Sequence, residues 1–251
     1  MKLSTTAAII TGGASGLGEA TARHFAENGA QVTILDRDAE RGPTVAAEIG
    51  GHFFQTDVTD ESSVRAAVQD AVSKMGKITA CVNCAGIAYG IKTVGRDGPH
   101  PLDAFKRTID INLVGTFNVG RLAAMEIAKN EPESDGARGV IINTASVAAF
   151  DGQKGQAAYA ASKGGVVGMC LPMARDLAST GIRVMTIAPG IFMTPMLAGL
   201  PEDVQQQLAE DVPNPARLGD PSEYGRTAGF IVEMGYLNGE VIRLDGALRM
   251  R

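Results

Sequence analysis

Short aliphatic, β-branched runs recur along this chain. Most are followed by small residues and then by an Ala-rich amphipathic stretch. Ala7-Ala8-Ile9-Ile10, residues 31–35, 52–56, 78–83, Val140-Ile141-Ile142, 181–188 and 240–244 each read as a buried strand. Six or seven such strand–helix units in 251 residues predict an α/β chain with a doubly wound parallel sheet, built as a single domain over 1–251. In such a sheet ligands bind outside the carboxyl ends of the strands. The glycine turn after the first strand and the strand ends at 36, 57, 83, 146 and 188 are expected to share that edge.

The first strand enters Thr11-Gly12-Gly13-Ala14-Ser15-Gly16-Leu17-Gly18, and a helix follows to Asn28. A tight G-x-x-x-G-x-G turn brings backbone N–H groups and a helix N-terminus onto a pyrophosphate, where side chains would block the approach. The second strand ends at Asp36, close to where a Rossmann-type fold places the acid for the adenosine ribose. A carboxylate there accepts from the 2′- and 3′-hydroxyls and repels a 2′-phosphate. Arg37 pulls the other way, but no Lys or Arg occurs between Thr11 and Gly18. The balance favours NAD over NADP.

Composition narrows the partners. A net charge of −5 argues against nucleic acid or an anionic membrane as partner. No apolar run reaches the length of a membrane span. A lead of six residues before the first strand predicts no signal or transit peptide, and three cysteines fit a reducing compartment. A cytoplasmic location is the expectation. Cys81 and Cys84 form a C-x-x-C, but along a strand and its end and with no second ligand pair, so small buried thiols are expected and no metal site.

Residues 139–168 hold the parts for moving a proton. A strand ends in Asn143-Thr144-Ala145-Ser146, a Gly/Gln-rich turn follows, and an Ala/Gly-rich helix then carries Tyr159 and Lys163. Four residues apart, these two share a helix face. A free phenol titrates near pH ~10, and lowering it by roughly two to three units takes about 3–4 kcal/mol. A cation about 4 Å away supplies on the order of 4 kcal/mol at an effective dielectric near 20. Lys163 is therefore expected to lower Tyr159. Asn112 sits in an otherwise apolar helical stretch, 102–120, where a buried amide needs partners. Pro172 predicts a kink or distorted turn. Residues 191–214, rich in Met, Leu and Pro, are expected to cover a substrate, with a short helix at 202–210.

Thr11-Gly12-x-x-x-Gly16-x-Gly18, Asn83-x-Ala85-Gly86, Asn112, Ser146, Tyr159-x-x-x-Lys163 and Pro189-Gly190 occur in the order and spacing of the short-chain dehydrogenase/reductase family. The resemblance spans the whole chain. Position 84 departs from it, since Asn is commoner there than Cys. The resemblance implies Tyr159 as general acid/base, Lys163 as its activator and nicotinamide-ribose partner, Ser146 on the substrate oxygen and Asn112 on a relay water. It further implies cofactor contacts from Gly12, Ser15, Gly16, Leu17 and Gly18, and from Asp36, Asp57 and Val58. Asn83, Ala85, Gly86, Pro189, Gly190 and Thr194 complete that set.

Within the family, residues 143–150, 155–159, 182–190, 217–221 and 237–247 resemble the NAD-dependent, tetrameric branch acting on short or branched L-3-hydroxyacyl-CoA. The connection 91–101 and the polar loop 130–138 resemble it too. Gln156 is then expected to contact substrate. Lys92, Arg96 and Lys154 are candidates for the CoA phosphates. An alcohol or steroid dehydrogenase, a 3-oxoacyl-carrier-protein reductase, and a non-catalytic NAD-binding scaffold subunit stand as alternatives.

Overall fold

The computed structural model describes residues 1–96, 98–199 and 201–250. Asp97 in the connection 91–101, Leu200 in the segment 191–214, and Arg251 lie outside the described residues. Seven parallel strands form the central sheet: β1 (Ala7–Thr11), β2 (Gln31–Asp36), β3 (His52–Gln55), β4 (Ala80–Asn83), β7 (Gly139–Thr144), β8 (Ile182–Pro189) and β9 (Val241–Leu244). Their order is β3-β2-β1-β4-β7-β8-β9, with the order reversing between β1 and β4. That reversal opens a crevice at the strand ends. The doubly wound parallel sheet predicted from the strand–helix repetition is the one observed.

The sheet buries both faces. Ile9, Cys81, Ile141 and Val184 face the layer made by α3 (Glu61–Met75), α5 (Gly115–Ile127) and α6 (Ala157–Asp176). Their chain neighbours Ile10, Val82, Ile142 and Met185 face the layer of α1 (Gly16–Glu27), α2 (Arg41–Glu48) and α9 (Pro221–Glu233). Alternate residues of each strand thus serve opposite cores, which is why the strands read as unbroken apolar runs. Burying each such aliphatic side chain contributes about 1.5–3 kcal/mol. Among the described residues, no helix is long and apolar enough to cross a membrane.

Three departures from the sequence expectation have physical reasons. The connection 91–101 carries a small antiparallel pair, β5 (Val94–Gly95) and β6 (Gly98–Pro99), too short to show a two-residue period. The helical stretch at 102–120 is α4 (Leu102–Ile109), a π-turn at Asp110–Val114, and α5. The π-turn adds a residue to one turn at Asn112, and such bulges recur at functional sites. Finally, α6 stays helical through Pro172. Both Pro172 and Gly168, whose carbonyl loses its N–H partner there, are exposed, so water can serve that oxygen.

The segment after β8 forms α7 (Pro195–Ala198) and α8 (Glu202–Glu210), joined to the body by a bridge between Phe192 and Gly219. α8 buries none of its described residues.

Candidate active site

A cleft of about 370 Å³ lies along the carboxyl edge of the sheet, over the β1–β4 reversal. Its floor is the turn between β1 and α1. Gly12 adopts φ +66°, and a Cβ there would stand 2.8 Å from the Ala85 nitrogen. A Cβ on Gly18 would stand 2.2 Å from the Gly12 carbonyl oxygen. Both positions therefore demand glycine. Ser15 caps α1 in extended geometry but makes no side-chain capping bond. The first turn of the helix thus presents its N–H groups to the cleft, as a pyrophosphate requires.

Gly12, Ser15, Gly16, Leu17 and Gly18 line this cleft, with Asp36, Asp57 and Val58 at one end. Ala85, Gly86 and Thr194 also line it. Asp36 is oriented by two backbone donors: its Oδ2 accepts from Ala14 N–H at 3.0 Å and its Oδ1 from Asp38 N–H at 3.0 Å. Nearby cations are engaged elsewhere. Arg41 donates to the Ala14 carbonyl at 2.6 Å and to Glu19 at 2.7 Å. Arg37 lies 3.8 Å from Asp57. Hydrogen bonds from the Thr59 hydroxyl and N–H hold the Asp57 carboxyl below its usual range. The end of the cleft at Asp36 therefore offers a carboxylate that, among the described residues, pairs with no cation, which fits ribose hydroxyls better than a phosphate.

Besides Asn112, Ser146, Gln156, Tyr159 and Lys163, described below, three predicted cofactor residues lie outside the cleft lining. Asn83 is buried, and its Nδ2 donates to Asn143 Oδ1 at 3.0 Å, across β4 and β7. Pro189 is a buried member of β8 paired with Leu244. Gly190 packs on Asp245, 2.9 Å from where its Cβ would stand.

The proton-transfer residues meet where β7, α6 and the π-turn converge. The Ser146 hydroxyl accepts from Ala148 N–H at 3.1 Å and hydrogen-bonds the Tyr159 phenol. Lys163 Nζ lies 5.8 Å from the Tyr159 ring centroid and donates to the Thr144 carbonyl at 2.7 Å. Asn112 is fully buried. Its Oδ1 accepts from Ile87 N–H, and its Nδ2 donates to the Ile87 carbonyl at 2.9 Å and to Ser162 Oγ at 3.0 Å. Both amide protons are thus spent on protein partners. Gln156 caps α6, with its Oε1 accepting from Gln153 N–H at 2.9 Å.

One electrostatic expectation is reversed. The sequence predicts a phenol lowered by the neighbouring ammonium, but burial pushes Tyr159 upward, opposed by the Ser146 hydrogen bond. The geometry explains the difference. Lys163 aims at Thr144 instead of the phenol oxygen, and its own burial pulls it down to about 8. The cysteines behave as buried thiols. Desolvation pushes Cys81 up to about 12 and raises Cys84 and Cys170, and no metal-binding cluster occurs among the described residues.

Sequence reasoning missed several cleft residues, among them Ile87, Ile111 and Pro195. Ile111 was legible as a neighbour of Asn112. Tyr224, fully buried on α9 with its hydroxyl 2.6 Å from Thr144 Oγ1, carried no signal, because a Tyr in an amphipathic helix reads as core.

Comparison with known proteins agrees with this geometry. A family model described as short chain dehydrogenase matches residues 6–205. The chain is 56% identical over 248 residues to the 3-hydroxyacyl-CoA dehydrogenase type-2 of Rattus norvegicus, covering 97% of this chain and 95% of that one. A crystal structure of 3-hydroxyacyl-CoA dehydrogenase type-2 from Mycobacterium avium superposes with a TM-score of 0.94 at 46% identity, covering 98% and 96% of the two chains. A 3-ketoacyl-(acyl-carrier-protein) reductase from Brucella melitensis, complexed with NADH, superposes with a TM-score of 0.87 at 31% identity, covering 98% and 99%.

Proposed function

The chain belongs to the short-chain dehydrogenase family, and from that premise we propose that it catalyses the reversible NAD-linked oxidation of a short or branched L-3-hydroxyacyl-CoA to the 3-oxoacyl-CoA. The observation that carries this reading is 56% identity across nearly the whole chain to a type-2 3-hydroxyacyl-CoA dehydrogenase. NAD, when bound, supplies the hydride acceptor. The glycine turn and the open N-terminus of α1 hold its pyrophosphate, and Asp36 its adenosine ribose.

Tyr159 takes the proton of the 3-hydroxyl in oxidation and returns it in reduction. Ser146 orients the substrate oxygen beside the phenol. Lys163 supplies the positive charge that favours phenolate, and Asn112 braces the cleft wall at Ile87. Burial keeps the Tyr159 phenol protonated, so oxidation, which needs phenolate, depends on the Lys163 charge.

The segment 191–214 closes over the substrate. Support comes from Thr194 and Pro195, which line the cleft, while α8 buries none of its described residues. Gln156 reaches substrate by releasing Gln153. The active form is a homotetramer, as the family resemblance implies; it works in the cytoplasm, a location that free Cys81, Cys84 and Cys170 suit.

The test is initial rates with NAD and NADP on L- and D-3-hydroxybutyryl-CoA and the 2-methyl analogue. Strong NAD-linked oxidation of the L-acyl-CoA is expected. Turnover only of carrier-protein thioesters, or only of alcohols and steroids, would move the substrate assignment to another branch of the family.

A further inference from the structure

Lys163 is a cation with very little protein support. It is 4% exposed, and among the described residues no carboxylate pairs with it. Its one hydrogen-bond acceptor is the Thr144 carbonyl. A buried ammonium with a single acceptor depends on how firmly that acceptor is held.

The Thr144 carbonyl is free for this task because the sheet splits beside it. The N–H of the same peptide, on Ala145, donates to the Ile187 carbonyl in β8 at 2.8 Å. In a trans peptide the two groups point oppositely, so the Thr144 oxygen faces β4. There the departing chain has no donor to offer. The Cys84 N–H faces β1, shared between the Thr11 carbonyl at 3.2 Å and the Thr11 hydroxyl at 3.1 Å, and the Ala85 N–H is diverted to the same hydroxyl at 3.1 Å. Lys163 enters the gap that this diversion leaves.

The Thr144 side chain bridges the same gap. Its hydroxyl donates to the Asn83 carbonyl at 2.6 Å. A carbonyl only accepts, so the single hydroxyl proton of Thr144 is committed. The contact between Thr144 Oγ1 and the Tyr224 hydroxyl, also 2.6 Å, must then be donated by Tyr224. The order is fixed: Tyr224 to Thr144 to Asn83. Tyr224 comes from α9, on the opposite side of the sheet from α6, and is fully buried.

We propose, resting on the dehydrogenase reading above, that Tyr224 is a positioning residue for proton transfer. Its hydroxyl locks Thr144 against β4, and the locked Thr144 carbonyl holds the Lys163 ammonium in place beside Tyr159. The groups facing Lys163 are Tyr159 on its own helix, Cys84 and Gly86 beyond β4, Thr144 at the end of β7, and Asn112 in the π-turn. Tyr224 faces it through Thr144. Among the described residues, no other charged group stands in for a carbonyl that has drifted.

Tyr224→Phe keeps the ring and removes the donor. The acid limb of the pH profile of kcat for oxidation is expected to move to higher pH. The rate below that limb is expected to fall about three- to tenfold, the size of one neutral hydrogen bond expressed as a rate, with KM for NAD unchanged. Thr144→Val keeps the shape and the carbonyl but lacks the hydroxyl, and is expected to shift the limb the same way. The double variant is expected to fall no further than the stronger single, because the two groups form one link.

A substrate-independent reading comes from the Lys163 side-chain nitrogen, followed by NMR titration in the intact protein. Its midpoint is expected to drop further in both variants. If both profiles and the Lys163 midpoint coincide with the parent's, Tyr224 is packing alone and the proposal falls, whatever happens to Tm. If Tyr224→Phe does not fold, Thr144→Val decides by the same readouts. If the midpoint drops but the parent itself turns over no acyl-CoA, the link stands and the substrate reading fails.

Discussion

Asn112 pairs with Ile87 as a neighbouring strand would. Its Oδ1 accepts from the Ile87 N–H at 2.8 Å and its Nδ2 donates to the Ile87 carbonyl at 2.9 Å. One side chain thereby satisfies both peptide groups of a residue in the cleft wall. Asn112→Ala leaves both unpaired and is expected to cost about 2–4 kcal/mol of stability. NAD affinity should fall as the Gly86–Ile87 wall loosens. Urea unfolding and cofactor titration measure the two effects. Asn112→Asp retains the acceptor alone and should fall between the parent and Asn112→Ala.

Tyr159→Phe removes the phenol beside Ser146 while keeping the ring that faces Lys163. Turnover in both directions should drop roughly 10²–10⁴-fold, the usual worth of a positioned acid/base. NADH binding, followed by fluorescence, should remain at the parent level. Turnover close to the parent's would remove Tyr159 from the mechanism.

Lys163 sets a pH dependence of stability. Burial holds it at about 8 in the folded chain, against 10.5 for an unperturbed lysine. Between those values the unfolded chain binds more protons, so stability rises with pH across this window. The burden is fully present below pH ~8 and gone above ~10.5, and amounts to about 3 kcal/mol. Lys163→Met has no such term. Its Tm should exceed the parent's at pH 7, and the gap should narrow by pH 10. It should also be inactive.

Asp36 decides between cofactors. Asp36→Ala removes the carboxylate, and with it the acceptor for Ala14 N–H. NAD affinity is expected to weaken at least about tenfold, the loss of one charge-assisted pair. NADP should weaken far less or tighten. Isothermal titration with both cofactors tests this, and equal losses for the two would place Asp36 in folding rather than in ribose recognition.

The N-terminus of α9, the helix that carries Tyr224, is held by a capping box. Asp220 accepts from Ser222 N–H at 2.8 Å, and Glu223 accepts from Asp220 N–H at 2.8 Å. Asp220→Ala should cost about 1 kcal/mol. The Arg217 hydrogen bond, then the Asp220 N–H, draw Glu223 down to about 2. Its contribution is therefore full above pH ~4.5 and lost as pH falls through about 2. Solvent around Arg217 screens it to ~1 kcal/mol or less. Denaturation of the parent and Glu223→Gln at pH 6 and pH 3 should show the gap narrowing.

Much was legible in the chain itself. Local patterns encode local structure, so the apolar runs gave the strands. The short helix expected at 202–210 is α8. Gly12 and Gly18 could be read because a backbone approach excludes every side chain, a constraint that leaves only one residue type. Tyr159 and Lys163 were found together because four residues along a helix fix a shared face.

What the sequence alone could not settle is which atom each polar group serves. Lys163 was expected to act directly on the phenol, yet its ammonium aims at the Thr144 carbonyl, beside which Thr11 takes the Cys84 and Ala85 N–H groups. Tyr224 lies 61 residues beyond Lys163 in the chain and reaches Thr144 only because α9 packs beneath the split in the sheet. Periodicity records which side of an element is buried. Hydrogen-bond direction, desolvation and the choice of acceptor depend on distances between elements that only the folded sheet brings together.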